Sequence, residues 1–148
     1  MARHLHFDCF SGISGDMILG ALVDAGFPFK DLVRGLARLQ VEGFRLTQKS
    51  VVRGAVSATK VDVLIDRGFR TPLTLAQIKR ILLKSGLPPV VKEQSQAVFD
   101  RLVDAEGKAH GVEPSQVHFH EVGVIDSFVD VVGGSLRRES FNGKLAAG

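Results

Sequence analysis

The sequence predicts an α+β fold, a small and mostly antiparallel sheet with a central hairpin and helices packed on one side, in the order β-α-α-β-β-α-α-β-α. Three observations carry this. Residues 44–53 and 56–66 form two strand-like runs split by Gly54, and the second alternates Val61, Val63 and Ile65 with Lys60, Asp62, Leu64 and Asp66. Segments with apolar residues at helical spacing lie on both sides of that hairpin. A hairpin in the middle of the order suits an antiparallel layer better than a parallel, doubly wound sheet.

Taken in order, Leu5, Phe7 and Cys9 alternate with His6 and Asp8, so this stretch reads as a short strand with Cys9 turned into the core. A turn over Ser11–Gly15 follows. A helix starts near Asp16, carries Ile18, Leu22 and Ala25 on one face, and stops at Gly26. Pro28 opens a second helix, whose Phe29, Leu32, Val33 and Leu36 keep the amphipathic rhythm. Beyond the hairpin, Thr74-Leu75-Ala76-Gln77 is a capping box, with Leu73 and Ile78 spaced as its hydrophobic staple. That helix points Leu75, Ile78 and Leu82 inward and ends at Gly86, before Pro88-Pro89. The next aligns Val91, Val98, Leu102 and Ala105 and ends near Gly111; a short strand, Val117 to Val122, and an apolar segment, Ile125 to Val132, complete the pattern.

A length of 148 residues fits one ordinary domain, 1–134, and 45% hydrophobic with 24% charged residues describes a soluble, globular chain. Residues 135–148 show no apolar period and end in Lys144-Leu145-Ala146-Ala147-Gly148, so they are expected to be a vector-derived or frayed tail. The stripe Ile125, Phe128, Val129 and Val132 then ends exposed, and self-association or disorder is expected around 125–141. No apolar run approaches the ~20 residues of a membrane span, the start lacks a secretory signal, and the single cysteine forms no internal disulfide, so the cytoplasm is the expected compartment. Nucleic acid is not an expected partner: the net charge is +3, and Arg137, Arg138 and Lys144 against Glu139 place +2 of it in the tail.

Two constellations carry chemistry. In Asp8-Cys9-Phe10-Ser11-Gly12-Ile13-Ser14-Gly15-Asp16-Met17, a Gly/Ser turn feeds a helix start, whose free N–H groups and dipole suit a phosphate or carboxylate. Ser11, Gly12, Ser14 and Gly15 are the candidate anion-binding residues, and Asp8 and Asp16 could hold an accompanying metal. The segment is neither a Walker A loop, nor G-x-G-x-x-G, nor a nucleophile elbow. The bland alternative is a plain turn with Ser14 or Asp16 as helix N-cap. In the second constellation, His118 and His120 share one side of an extended segment, Glu121 follows, and Asp126 and Asp130 fall four apart. Imidazole with carboxylate suits nickel, zinc, iron or manganese alike. Glu106 and His110 make another four-residue pair, and His4 and His6 read as a solvated strand edge. No catalytic residue is singled out.

Both segments, the second running on through Val131-Val132-Gly133, resemble the signatures of LarC-type nickel-insertion proteins, and Glu106-Gly107-Lys108-Ala109-His110-Gly111 is similar too. The resemblance spans about residues 4–134 and implies an N-terminal fragment of a CTP-dependent nickel chelatase. Such an enzyme inserts Ni²⁺ into pyridinium-3,5-bisthiocarboxylate mononucleotide, forming carbon–nickel and sulfur–nickel bonds (hence a lyase label) and giving the nickel-pincer nucleotide of lactate racemase. It further implies metal ligands among Asp8, Asp16, His118, His120, Glu121 and Asp126, CTP with Mg²⁺ or Mn²⁺ in the complete protein, and a homo-oligomer. Many relatives carry a histidine-rich stretch where this chain has Arg67-Gly68-Phe69-Arg70-Thr71-Pro72, and relatives continue well past Gly133, so the fragment is expected to be inactive alone. The alternative is a non-catalytic scaffold or partner-binding domain of a metal-handling protein.

Overall fold

The computed structural model describes residues 6–66, 74–117 and 124–143. Helices α1 (Gly15–Asp24) and α2 (Phe29–Ala37) precede the strands β1 (Phe44–Arg53) and β2 (Val56–Ile65). Helices α3 (Leu75–Lys84) and α4 (Pro89–His110), a 3₁₀ turn (Pro114–Gln116) and helix α5 (Val124–Gly143) follow. The fold class is the expected α+β with a central hairpin: β1 and β2 pair antiparallel from Phe44 opposite Ile65 to Arg53 opposite Val56, around a turn at Gly54 with φ of 59°.

Local chemistry explains the helix ends. α1 closes in a Schellman motif, with Phe27 N–H on the Leu22 carbonyl and Gly26 N–H on the Val23 carbonyl, both at 3.0 Å. Gly26 takes the left-handed conformation this needs, at φ of 97°. The Thr74 capping box is complete: Gln77 N–H donates to the Thr74 hydroxyl at 3.3 Å, and Thr74 N–H donates to Gln77 Oε1 at 2.7 Å. Its staple partner Leu73 lies outside the described residues.

Helix α5 is the organising element, packed on α1, α2 and α4. Ile125, Phe128, Val129 and Val132 are buried in the chain's own core, so the stripe does not end exposed, as the sequence suggested. Nor does the helix stop at Gly134: it runs to Gly143, and Leu136 is buried against Gly35 of α2. A Cβ on Gly133 would stand 2.7 Å from Leu19 and 3.2 Å from Leu32, so this glycine lets α5 approach α1 and α2 rather than breaking the helix. Phe128 also meets Phe99 of α4, ring centroids 5.6 Å apart. α1 lies equally close on β2, where a Cβ on Gly20 would overlap the Thr59 carbonyl and the Thr59 hydroxyl donates to Asp24 at 2.8 Å.

Several sequence expectations change. Residues 6–9 belong to neither strand, and Phe7 and Cys9 are exposed, because among the described residues no strand pairs with this segment. Leu19 rather than Ala25 is the buried anchor of α1, and Val33 is exposed on α2. The inward line of α4 is Val91, Ser95, Phe99, Val103 and Gly107, whereas Val98 is exposed. Val117 is buried, but the rest of the expected 117–122 strand lies outside the described residues, as do residues 67–72. Among the described residues no helix is long and apolar enough to cross a membrane.

Candidate functional site

The start of α1 meets the first turns of α5. Ser14 occupies the N-cap position in extended conformation, yet its hydroxyl caps no backbone N–H; it donates to the Asp16 carboxylate instead. Asp16 Oδ1 also accepts from Met17 N–H at 2.9 Å. The plain N-cap alternative for Ser14 therefore fails, and the one first-turn N–H met by a side chain among the described bonds is that of Met17, by Asp16. Upstream, Gly12 N–H donates to the Cys9 carbonyl at 3.0 Å, with Gly12 at φ of 82°, which folds the chain sharply at Phe10 and Ser11.

Gly15, the first residue of α1, sits directly against the Asp130 side chain, and a Cβ there would overlap its carboxyl group. Asp130 and Asp126 are one turn apart on α5, and each has a buried Oδ1 without a hydrogen-bond partner. Burial, then the nearby charges of Asp16 and Asp126, push the Asp130 carboxyl up to about 6. Burial also raises Asp126 above the ordinary carboxylate range. Three acids thus share one place, at a helix start whose N–H groups favour negative charge. Buried, unpartnered carboxylate oxygens are expensive, and such sites are where a cation or proton is to be sought.

A second charged group borders the site on the hairpin. Lys49 and Lys60 stand opposite each other across the strands, and both pair with Asp62, at 2.8 Å and 2.6 Å. The hydrogen bonds from Lys49 and then Lys60 hold Asp62 below the usual carboxylate range. The bond to Asp62 holds Lys60 above its usual value, and the charge of Asp16 adds to that pull, which puts Lys60 within electrostatic reach of Asp16.

Of the residues singled out in the sequence, Gly15 is brought against Asp130, and Asp16 and Asp126 lie within electrostatic reach of the same carboxyl. Ser14 joins them through Asp16, and Ser11 and Gly12 form the exposed turn before them. Asp8 is exposed, and no bond ties it to the acids. His118, His120 and Glu121 lie outside the described residues. Asp130 was visible only as the partner of Asp126 at helical spacing; its seat on Gly15 is a tertiary contact that spacing cannot show. His110 Nε2 and Glu106 pair at 3.2 Å at the end of α4. Among the described residues, no three His, Cys, Asp or Glu side chains are placed to hold a metal ion by themselves.

The family model described as nickel insertion protein matches residues 5–143. A pyridinium-3,5-bisthiocarboxylic acid mononucleotide nickel insertion protein of Desulfitobacterium hafniense is 47% identical over 128 residues, 86% of this chain and 32% of the relative. Relatives from Thermomicrobium roseum (49% over 132 residues, 88% of this chain, 32% of the relative) and Synechococcus elongatus (44% over 137 residues, 92% and 34%) also carry nickel insertion protein in their names. The chain spans about a third of the length of these relatives. No solved structure matches it.

Proposed function

The chain belongs to the nickel insertion protein family, and on that premise we propose that it is the N-terminal third of a CTP-dependent nickel chelatase, with Asp16, Asp126 and Asp130 forming part of the place where Ni²⁺ is handled. The substrate is pyridinium-3,5-bisthiocarboxylate mononucleotide, and the product is the nickel-pincer nucleotide that lactate racemase uses. The single observation that carries this reading is the meeting of the two signature segments: Gly15 of the first lies against Asp130 of the second, whose carboxyl also feels the charges of Asp16 and Asp126. Two stretches more than a hundred residues apart in sequence thereby supply one cluster of acids.

The chemistry suits transfer rather than storage. Ni²⁺ is cargo here, and carboxylate oxygens are harder ligands than the thiocarboxylate sulfurs that receive it, so the ion has a downhill path from protein to precursor. The described acids do not complete a ligand set. The stretch between Val117 and α5, which carries His118, His120 and Glu121, is the natural source of the missing ligands, since it joins α5 two residues before Asp126. The start of α1, where Ser14 caps no N–H and Ser11, Gly12, Ser14 and Gly15 lead in, suits the phosphate or a carboxylate of the precursor. CTP with Mg²⁺ or Mn²⁺, homo-oligomer formation and a cytoplasmic setting belong to the complete protein, and this chain alone is expected not to catalyse insertion.

Nickel titration by calorimetry at pH 7.5 and pH 5 tests the reading on this chain. A ligand must be deprotonated, and the relevant groups are Asp130, at about 6, and imidazoles that ordinarily titrate near ~6.5. Heat of binding is therefore expected at pH 7.5 and its loss at pH 5. No heat at pH 7.5 would remove this segment from nickel binding.

A further inference from the structure

Helices α3 and α4 run antiparallel and leave a groove of about 460 Å³ between them, lined by none of the candidate site residues. Lys79 of α3 pairs with Asp100 of α4 at 2.8 Å, and Lys92 of α4 donates to the Leu83 carbonyl of α3 at 3.0 Å, so both ends of the groove are tied. Leu83, Pro89 and Ala97 give it an apolar lining. Leu83 is 77% exposed, and α3 packs mainly on α4 alone. From Pro89 to Asp100 the groove follows eleven residues of α4, about 16 Å or three helical turns. An apolar channel of that length with a charged rim is shaped to receive an amphipathic helix. One exposed leucine is ordinary; what singles this groove out is where the chain leads.

On α5, Gly133 lies against Leu32 of α2 and Leu136 against Gly35, so the two helices run the same way and the next turn of α5 heads toward Arg38. The Arg38 carbonyl accepts from Gly86 N–H at 3.0 Å, and a Cβ on Gly86 would stand 3.8 Å from that of Arg38. Gly86 belongs to the connection between α3 and α4, three residues from Leu83 on one side and from Pro89 on the other. α5 continues to Gly143, about 10 Å past Leu136. It therefore carries the chain to the end of the groove where Leu83 lies open. The relatives are about three times as long as this chain, so most of the complete protein follows that point. We infer that the groove between α3 and α4 is the seat of an amphipathic helix from the region that follows residue 143 in the same polypeptide. The inference rests on the proposed function in one respect, that the chain is the N-terminal third of a longer protein; it uses none of the nickel chemistry.

The test compares this chain with the complete protein, both carrying Leu83→Cys in a Cys9→Ser background, labelled with N-ethylmaleimide and read by peptide mass. Labelling at position 83 is expected to be at least about tenfold slower in the complete protein, and equally slow on dilution, because the cover is intramolecular. Val56→Cys at the hairpin tip, where Val56 is 67% exposed, is the control and should label at one rate in both. Leu83→Asp in the complete protein should let the α3 amides exchange hydrogen as fast as they do in this chain. The melting temperature of this chain should not move with either change at Leu83, since the side chain is largely in water. Equal labelling rates in the two proteins overturn the inference. Slow labelling that is lost on dilution, or that grows with concentration in this chain alone, gives the groove to a second copy and overturns it too. The nickel calorimetry is independent of these outcomes. No heat of nickel binding with a covered Leu83 removes the metal reading and keeps the groove, and nickel binding with equal labelling rates does the reverse.

Discussion

Asp130→Asn in the complete protein is expected to lower nickel insertion by on the order of 100-fold or more while making the fold more stable at neutral pH. The two effects have one cause. Burial and the charges of Asp16 and Asp126 lift this carboxyl from 3.8 to about 6. An acid with a raised folded pKa binds its proton more tightly in the native state, so stability falls as pH rises from near 4 to about 6, and the ionised group opposes folding above that. The full shift corresponds to about 3 kcal/mol, but the site is partly open to solvent, and about 1–2 kcal/mol is a fairer figure after screening. Asparagine keeps the shape and removes the charge. Urea denaturation should therefore show Asp130→Asn ahead by that amount at pH 7 and nearly level by about pH 3, below both the folded value and the ordinary carboxylate value, where Asp130 is protonated in both states. A variant that is less stable at pH 7, or more stable yet fully active, contradicts the assignment. Functional sites commonly hold such unfavourable groups at a cost in stability.

The largest loss of stability is expected from Gly20→Val. Gly20 lies where α1 touches β2, and the atom a side chain would meet is the Thr59 carbonyl oxygen. Backbone in a paired strand cannot swing aside as a side-chain tip can, so α1 would have to lift off the hairpin. That would break the Thr59–Asp24 hydrogen bond and move Asp16 away from Lys60. A cost on the order of 4 kcal/mol or more is expected, enough to unfold a marginal domain. Gly134→Ala is the internal control: its Cβ would find nothing nearer than Ile18 at 3.7 Å, and alanine in a helix gains about 0.5–1 kcal/mol over glycine. Circular dichroism melts of both variants decide it; a folded Gly20→Val with a near-normal melting temperature contradicts the packing described here.

Much of the fold is written locally. The hairpin ends match because Gly54 and the alternation around Val61 are short-range signals, and the Thr74–Gln77 capping box needs only its own four residues. What escaped depends on partners distant in sequence. The inner face of α4 passes through Ser95 and Gly107, which an apolar count skips in favour of Val98. The apolar segment was expected to end at Val132, yet the helix runs on through Gly133, which is small because Leu19 and Leu32 press on it. The candidate site divides the same way: Gly15, Asp16 and Asp126 were legible as motif residues, and the Asp126–Asp130 spacing was visible. Only the docking of α5 on α1 reveals that Asp130 faces Gly15 and carries the most perturbed acid described.

The most direct test of the central claim, that the two signatures build one nickel-handling place, is the position of the metal itself. Crystals of this chain soaked with Ni²⁺ at pH 7.5 should give an anomalous peak at the nickel edge within coordinating distance, roughly 2.0–2.2 Å, of a carboxylate oxygen of Asp130 or Asp126. A nickel peak held only elsewhere, for instance by Glu106 and His110 on α4, with none at these acids, would contradict it.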